Sequence, residues 1–313
     1  MKRSSERRKS VDYIQVGHRV WRHPSVIALV ESYGRGADPI MVIRERARNL
    51  VAEARKFGWR GPPFDPRALA SLRGIRLSPD RLSPQHDALI IPSRGQQLEI
   101  VFNETRPITR QNFSICHEVC HTLFPDGYEM IRHRYQRRDA FDSDRELEQL
   151  CDIGAAELLL PEDEFRADLD RFGLTLAAVA PFRQRYEASR EAVIRRLVQL
   201  GRTPIAAAFL EHRLKPSEED AAHQLSLIRP AHAPQPKFRI AYTVVSDTFP
   251  VFLPRHKSVP DTSCVYRAVS QHSFATGTET WNIAGLPPCR VEATPMPSGD
   301  DGETLRAVAL LKP

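Results

Sequence analysis

The stretch FSICHEVCHTLFPD, residues 113–126, sets two histidines four positions apart inside an apolar run. On an α-helix that spacing leaves the two side chains offset by only ~40° and about one turn, so His117 and His121 can hold one metal ion from a single face. Glu118 sits ~100° further round, able to reach a water on such an ion but not to join its ligands. This is how an H-E-x-x-H helix binds zinc and keeps its glutamate as general base. The pattern constrains the fold, because two donors are too few. A third must come from another element packed across that face.

The strongest source is ELEQLCDIGAAELLLP, residues 146–161. It predicts a helix from about Asp144 to Leu160, stopped by Pro161. Glu146, Glu148 and Asp152 are its candidate carboxylates, and Glu148 and Asp152, again four apart, share one face. An unpaired carboxylate on a largely apolar helix is costly. Glu148 as ligand and Asp152 as hydrogen-bond partner of a ligand imidazole would account for both. The blander reading makes them the solvated edge of an amphipathic helix. Asp126, Glu129 and His133 are rival third donors, but the polar stretch from Asp126 to Asp144 reads as loop, which holds a ligand less rigidly.

The remaining chain reads as alternating helical and β-rich blocks. Residues 1–36 are an N-terminal extension with one helix around Val26–Ser32, ending in the breaker cluster SYGRGADP. Ile43, Ala47, Leu50, Val51 and Ala54 then recur at helical spacing up to Gly58. Asp65-Pro66 starts a short helix through Leu72, and DALIIPS and QLEIVFNE make a hairpin. Beyond Pro161, PEDEFRADLDRFG is a helix closed by Gly173. LTLAAVAPFRQRYEASREAVIRRLVQLG reads as helix, tight turn, helix, and TPIAAAFLE as a strand. A charged, then Pro-rich segment marks a linker over 223–237. From Phe238 the β-like runs FRIAYTVVS, SCVYRAVS, CRVEATPMP and TLRAVALL alternate with turn residues. The expected architecture is multidomain α+β: 1–36, 37–161, 162–222, the linker, and a mostly β domain over 238–313.

A length of 313 residues suits two or three domains, and 41% hydrophobic with 27% charged residues describes a folded globular chain. No run approaches the ~18 apolar residues that span a bilayer, so no membrane partner is expected. MKRSSERRKSVDY is basic with no apolar segment after it, which argues against a secretory leader. Five scattered cysteines, Cys116, Cys120, Cys151, Cys264 and Cys289, fit a reducing compartment, the cytoplasm. A net charge of +6 permits nucleic acid as a partner without requiring it. Its one dense block, Lys2 to Lys9, reads as a solvated tail.

NFSICHEVCHTLFPD followed by ELEQLCDIGAAELLLP resembles the ImmA/IrrE metallopeptidase family, gluzincin-like enzymes with a pattern near R-F-x-x-A-H-E-x-G-H and E-x-x-A/C-N-x-x-A-A-x-L-L-M-P. The resemblance spans roughly 40–160. It implies a zincin-like peptidase domain in which His117, His121 and Glu148 bind zinc, or manganese in its place, and Glu118 is the catalytic base. Glu148 follows His121 by the family's interval of 27 residues. Cys120 departs from the usual Gly, Cys116 from Ala and Asp152 from Asn, none of them a ligand. Cys116 and Cys120 read as small buried hydrophobes, with redox inhibition the rival reading. The helix pair after the peptidase unit resembles the family's helix-turn-helix, and the β-rich tail, by order and pattern, a GAF-like domain of the three-domain IrrE branch. The family further implies an endopeptidase that cuts a helix-turn-helix transcriptional repressor and so derepresses stress-response genes. An oxyanion donor is required as well; Tyr128, His133 and Tyr135 are near in sequence. The alternative is a DNA-binding regulator with a non-catalytic metal site, whose Arg190, Arg195 and Arg196 would lie on the groove-reading helix.

Overall fold

A computed structural model describes residues 13–34, 36–137, 145–218, 234–298 and 302–313. The basic block Lys2 to Lys9 and most of the expected linker lie outside the described residues. The chain mixes helices and sheets in two compact units, one of residues 1–165 with 183–189 and the other of 166–182 with 190–313. Among the described residues no helix is long and apolar enough to cross a membrane.

The first unit opens with a hairpin, β1 (Ile14–Val16) and β2 (Arg19–Trp21), and helix α1 (Pro24–Tyr33). This stretch packs firmly, for Trp21, Val26, Leu29 and Val30 are buried. Glu146 accepts from the backbone N–H groups of Arg22 and His23 at 2.7 and 2.8 Å. Helix α2 (Pro39–Lys56) starts where Asp38 accepts from the N–H of Ile40, and it buries the stripe Ile43, Ala47, Leu50, Val51 and Ala54. Helix α3 (Pro66–Leu72) begins in the same way at Asp65.

Strands β3 (Arg76–Asp80), β4 (Ala88–Pro92) and β5 (Leu98–Asn103) form a sheet of order β3-β5-β4. β4 and β5 are the expected hairpin. β3, parallel to β5, went unseen because RLSPD has no β-branched residue and contains a proline. Helix α4 (Ile108–His121) carries the two histidines, and α6 (Arg145–Leu159) packs against both α4 and α2. Between them α5 (Gly127–Arg137) replaces the loop expected after Asp126. Its polar sequence hid it. Gly127 matters here, since a Cβ at that position would lie 2.3 Å from the carbonyl oxygen of His121.

α4 and α6 also approach closely at Gly154, where a Cβ would lie 2.8 Å from Cys120 Sγ. The thiol at 120 and the missing side chain at 154 fill one space. Gly154→Ala should therefore destabilise the protein by ~1–3 kcal/mol through overpacking. Adding Cys120→Gly should recover most of that loss in a denaturant double-mutant cycle; strictly additive effects would mean the two positions do not share the space.

Glu157 of α6 meets the first residue of helix α7 (Glu162–Phe172); it is fully buried yet satisfied, accepting from the N–H of Glu162 at 3.1 Å and pairing with Arg48 Nε at 3.4 Å. Helices α8 (Val179–Tyr186) and α9 (Arg190–Leu200) follow, joined by three residues, Glu187 to Ser189.

The second unit is built on a five-stranded sheet of β6 (Ala206–Arg213), β7 (Lys237–Val245), β8 (Ala275–Glu279), β9 (Cys289–Met296) and β10 (Arg306–Lys312), in order β7-β6-β10-β9-β8. One face, with Ala208, Leu210, Ile240, Val291 and Ala309, packs on α10 (Cys264–Ser270) and the apolar excursion through Leu253, Trp281 and Ile283. The other face receives α9. Two expectations change. β6, the strand before the linker, is an inner strand of this sheet, so sequence on both sides of the linker shares one core. SCVYRAVS is α10 rather than a strand. Ser263 accepts from the N–H of Val265, and the buried Cys264, Val265 and Ala268 share a helical face. Glu292, buried on β9, accepts from Thr175 Oγ1, the N–H of Leu176 and Lys312 Nζ at 2.6, 2.8 and 2.7 Å. Burial alone would raise its pKa; these partners hold it below the usual carboxylate range.

Candidate metal centre

The histidines of α4 meet the carboxylates of α6 at both ring nitrogens. His117 Nε2 lies 2.9 Å from Glu148 Oε2, and His121 Nε2 lies 3.8 Å from Glu148 Oε1. One carboxylate thus faces both Nε2 atoms. His117 Nδ1 lies 2.9 Å from Asp152 Oδ1. The two rings stand edge to face with centroids 5.2 Å apart. Exposure rises outward across the cluster: the side chains of His121, His117, Glu148 and Asp152 are 6%, 15%, 29% and 59% exposed. The innermost ring is fixed by packing, and Asp152 stands at the rim.

Burial disfavours a charged imidazole at His117, but hydrogen bonds to Asp152 and Glu148 and the charge of Glu118 outweigh it and push the pKa up to about 10. Two imidazoles and a carboxylate converging in this way form a donor set suited to a divalent ion such as zinc. The carboxylate occupies the place opposite both Nε2 atoms that an ion would share.

A further group was not anticipated. Cys151 Sγ lies 3.5 Å from His121 Nδ1, and His117, His121 and Cys151 each offer a donor atom within 4.8 Å of the others. Glu148 and Cys151 are thus both candidates for the third donor, and they approach different ring nitrogens. The engagement of His117 Nδ1 with Asp152 turns its Nε2 toward Glu148, and His121 presents its Nε2 to the same carboxylate. Cys151 approaches His121 at its other ring nitrogen, Nδ1. The set sharing one orientation of both rings is His117, His121 and Glu148. Burial pushes the thiols of Cys116, Cys120 and Cys151 well above their ordinary pKa, which favours the neutral thiol.

Asp126 accepts from Ser25 Oγ at 2.7 Å, and Tyr128 and Tyr135 are exposed on α5, as are Glu129 and His133. The arginines of α9 are engaged within their own unit. Arg196 is buried, Arg190 donates to the carbonyl of Pro295, and Arg195 pairs with Glu191 at 2.9 Å and lies 5.0 Å over the Tyr242 ring.

Residues 73–198 match the sequence family Peptidase M78, the IrrE N-terminal-like domain. The matched segment includes α4 and α6. Two curated relatives are both described as "Radiation response metalloprotease IrrE". That of Deinococcus radiodurans is 24% identical over 61% of this chain and 51% of its own length. That of Deinococcus deserti is 26% identical over 56% of this chain and 60% of its own length. The matched part thus spans little more than half of those relatives. Among solved structures, a Mycobacterium tuberculosis transcriptional regulator superposes with a TM-score of 0.55 at 14% identity, covering 86% of this chain and 76% of that one. It shares the fold.

Proposed function

We propose that the chain is a metal-dependent endopeptidase, with His117, His121 and Glu148 as ligands of a zinc ion and Glu118 as general base. The observation that carries this reading is the Glu148 carboxylate facing the Nε2 atoms of both histidines. A divalent ion held by these residues would supply Lewis-acid polarisation of a peptide carbonyl and would acidify a water near neutral pH. Glu118, one residue after His117, would serve as general base, taking a proton from an attacking water and passing it to the leaving amine. Asp152 holds His117 in the tautomer that offers Nε2. Asp152→Ala should weaken metal affinity by ~10–100-fold while leaving one ion per chain at saturation. A wild-type dissociation constant would return Asp152 to the solvated surface.

The substrate class in this proposal is a helix-turn-helix transcriptional repressor, cut to release stress-response genes. α8 and α9 are taken as the chain's own helix-turn-helix, and the five-stranded unit as a GAF-like domain. Work in the cytoplasm is consistent with five free cysteines. The rival reading, direct DNA recognition, is disfavoured by α9, on which only Arg195 and Gln199 are classed as exposed. A recognition helix needs a free face to enter the major groove.

The test is incubation of the zinc-loaded protein with candidate helix-turn-helix repressors, followed by mass spectrometry of the fragments. One discrete cut, absent with Glu118→Gln, is expected. DNA retention should stay weak and fall steeply with salt. Tight, specific operator binding lost on substitution of Arg195, with no cleavage, would replace the enzyme by a regulator.

A further inference from the structure

Glu148, Cys151 and Asp152 of α6 each meet a histidine ring nitrogen, and their spacing of i, i+3 and i+4 puts them on one helical face. Opposite them His117 and His121 are also i and i+4. Glu148 faces Nε2 of both rings, Asp152 faces Nδ1 of His117, and Cys151 faces Nδ1 of His121 at 3.5 Å. Cys151 and Asp152 therefore stand in equivalent positions toward the two imidazoles, one buried and sulfur-bearing, the other at the rim and charged.

We propose that Cys151 is a positioning residue for the metal centre: its thiol accepts the Nδ1–H of His121 and so directs Nε2 toward the ion, without itself being a ligand. This rests on the ligand set proposed above. A neutral imidazole that gives Nε2 to a metal carries its proton on Nδ1, and that proton needs an acceptor inside the protein. Sulfur is a weak acceptor, but His121 is the most buried side chain of the cluster and Cys151 is fully buried, so water competes little for the bond. The rim position of His117 takes a carboxylate instead, where solvent tempers its charge. A carboxylate at 151 would have to be buried, at a large desolvation cost. A neutral thiol gives direction without that charge.

The test uses the full chain, stripped of metal and reloaded with zinc or cobalt(II). Cobalt bound by nitrogen and oxygen alone should lack the intense near-ultraviolet band of thiolate-to-cobalt charge transfer. Cys151→Ala should bind zinc ~10-fold more weakly. Cys151→Ser, which restores an acceptor, should recover affinity to within about threefold of wild type. A charge-transfer band in the wild type that disappears in Cys151→Ser would make Cys151 a ligand and overturn the proposal. Unchanged zinc affinity in Cys151→Ala, with only a lower melting temperature, would reduce Cys151 to core filler. Should the alanine variant fail to fold, the wild-type cobalt spectrum and the serine variant decide. A wild-type chain that binds neither ion would instead remove the metal centre itself.

Discussion

Glu118→Gln should retain one metal ion per chain and lose turnover, whereas His121→Ala should purify without stoichiometric metal. The reason is position on α4. His121 offers Nε2 to the cluster and is 6% exposed, so its loss leaves Glu148 and His117 facing an empty place. Glu118 adds charge beside His117 but lies a third of a turn away from the histidine face. Converting its carboxylate to an amide leaves the volume and removes the proton acceptor, a loss of ~100- to 10,000-fold in rate for a general base. Elemental analysis of both variants, with cleavage assays alongside, separates the two roles. Metal loss from Glu118→Gln would mean that the roles on α4 are wrongly assigned.

Metal affinity should tighten about tenfold per pH unit through the neutral range, because an ion must displace a proton from His117. The sign follows from the raised pKa. With a value of about 10 in the metal-free protein, His117 is protonated at neutral pH, and the ion competes with that proton until the pH passes about 10. An ordinary imidazole would lose the competition above ~6.5, and the affinity would level off there. Calorimetry in buffers of different ionisation enthalpy should count about one proton released per ion bound at pH 8. Asp152→Asn should lower the His117 pKa and flatten the profile. A wild-type profile already flat above about pH 7 would contradict the ion pairs at His117.

The helical elements near the site were legible because each carries its period and its stop locally. The α2 stripe of Ile43, Ala47, Leu50, Val51 and Ala54 needs only the 3.6-residue repeat, and Asp38, Asp65 and Ser263 accept from their own helix N–H groups. Elements without such a signature were missed or misread. β3 is a half-exposed edge strand whose pairing with β5 supplies its only reason to be extended. α5 has little apolar periodicity, and it forms where Gly127 lets the backbone turn against the end of α4. SCVYRAVS alternates well enough to pass for a strand, yet becomes α10 under the sheet.

The amino-acid order alone determined what lies within one helix: that His117 and His121 share a face, that Glu118 does not, and that Glu148, Cys151 and Asp152 share a face of their own. Tertiary packing alone decided how those faces meet. The two ring nitrogens of a histidine differ by a rotation that no spacing records, so only the approach of α6 to α4, made close by Gly154 opposite Cys120, matched Glu148 to Nε2, Asp152 to one Nδ1 and Cys151 to the other. The same holds for β6. An alanine-rich strand reads as a strand anywhere, but its backbone groups chose β7 and β10 across the linker because buried N–H and C=O groups must be paired by whichever strand the core brings alongside.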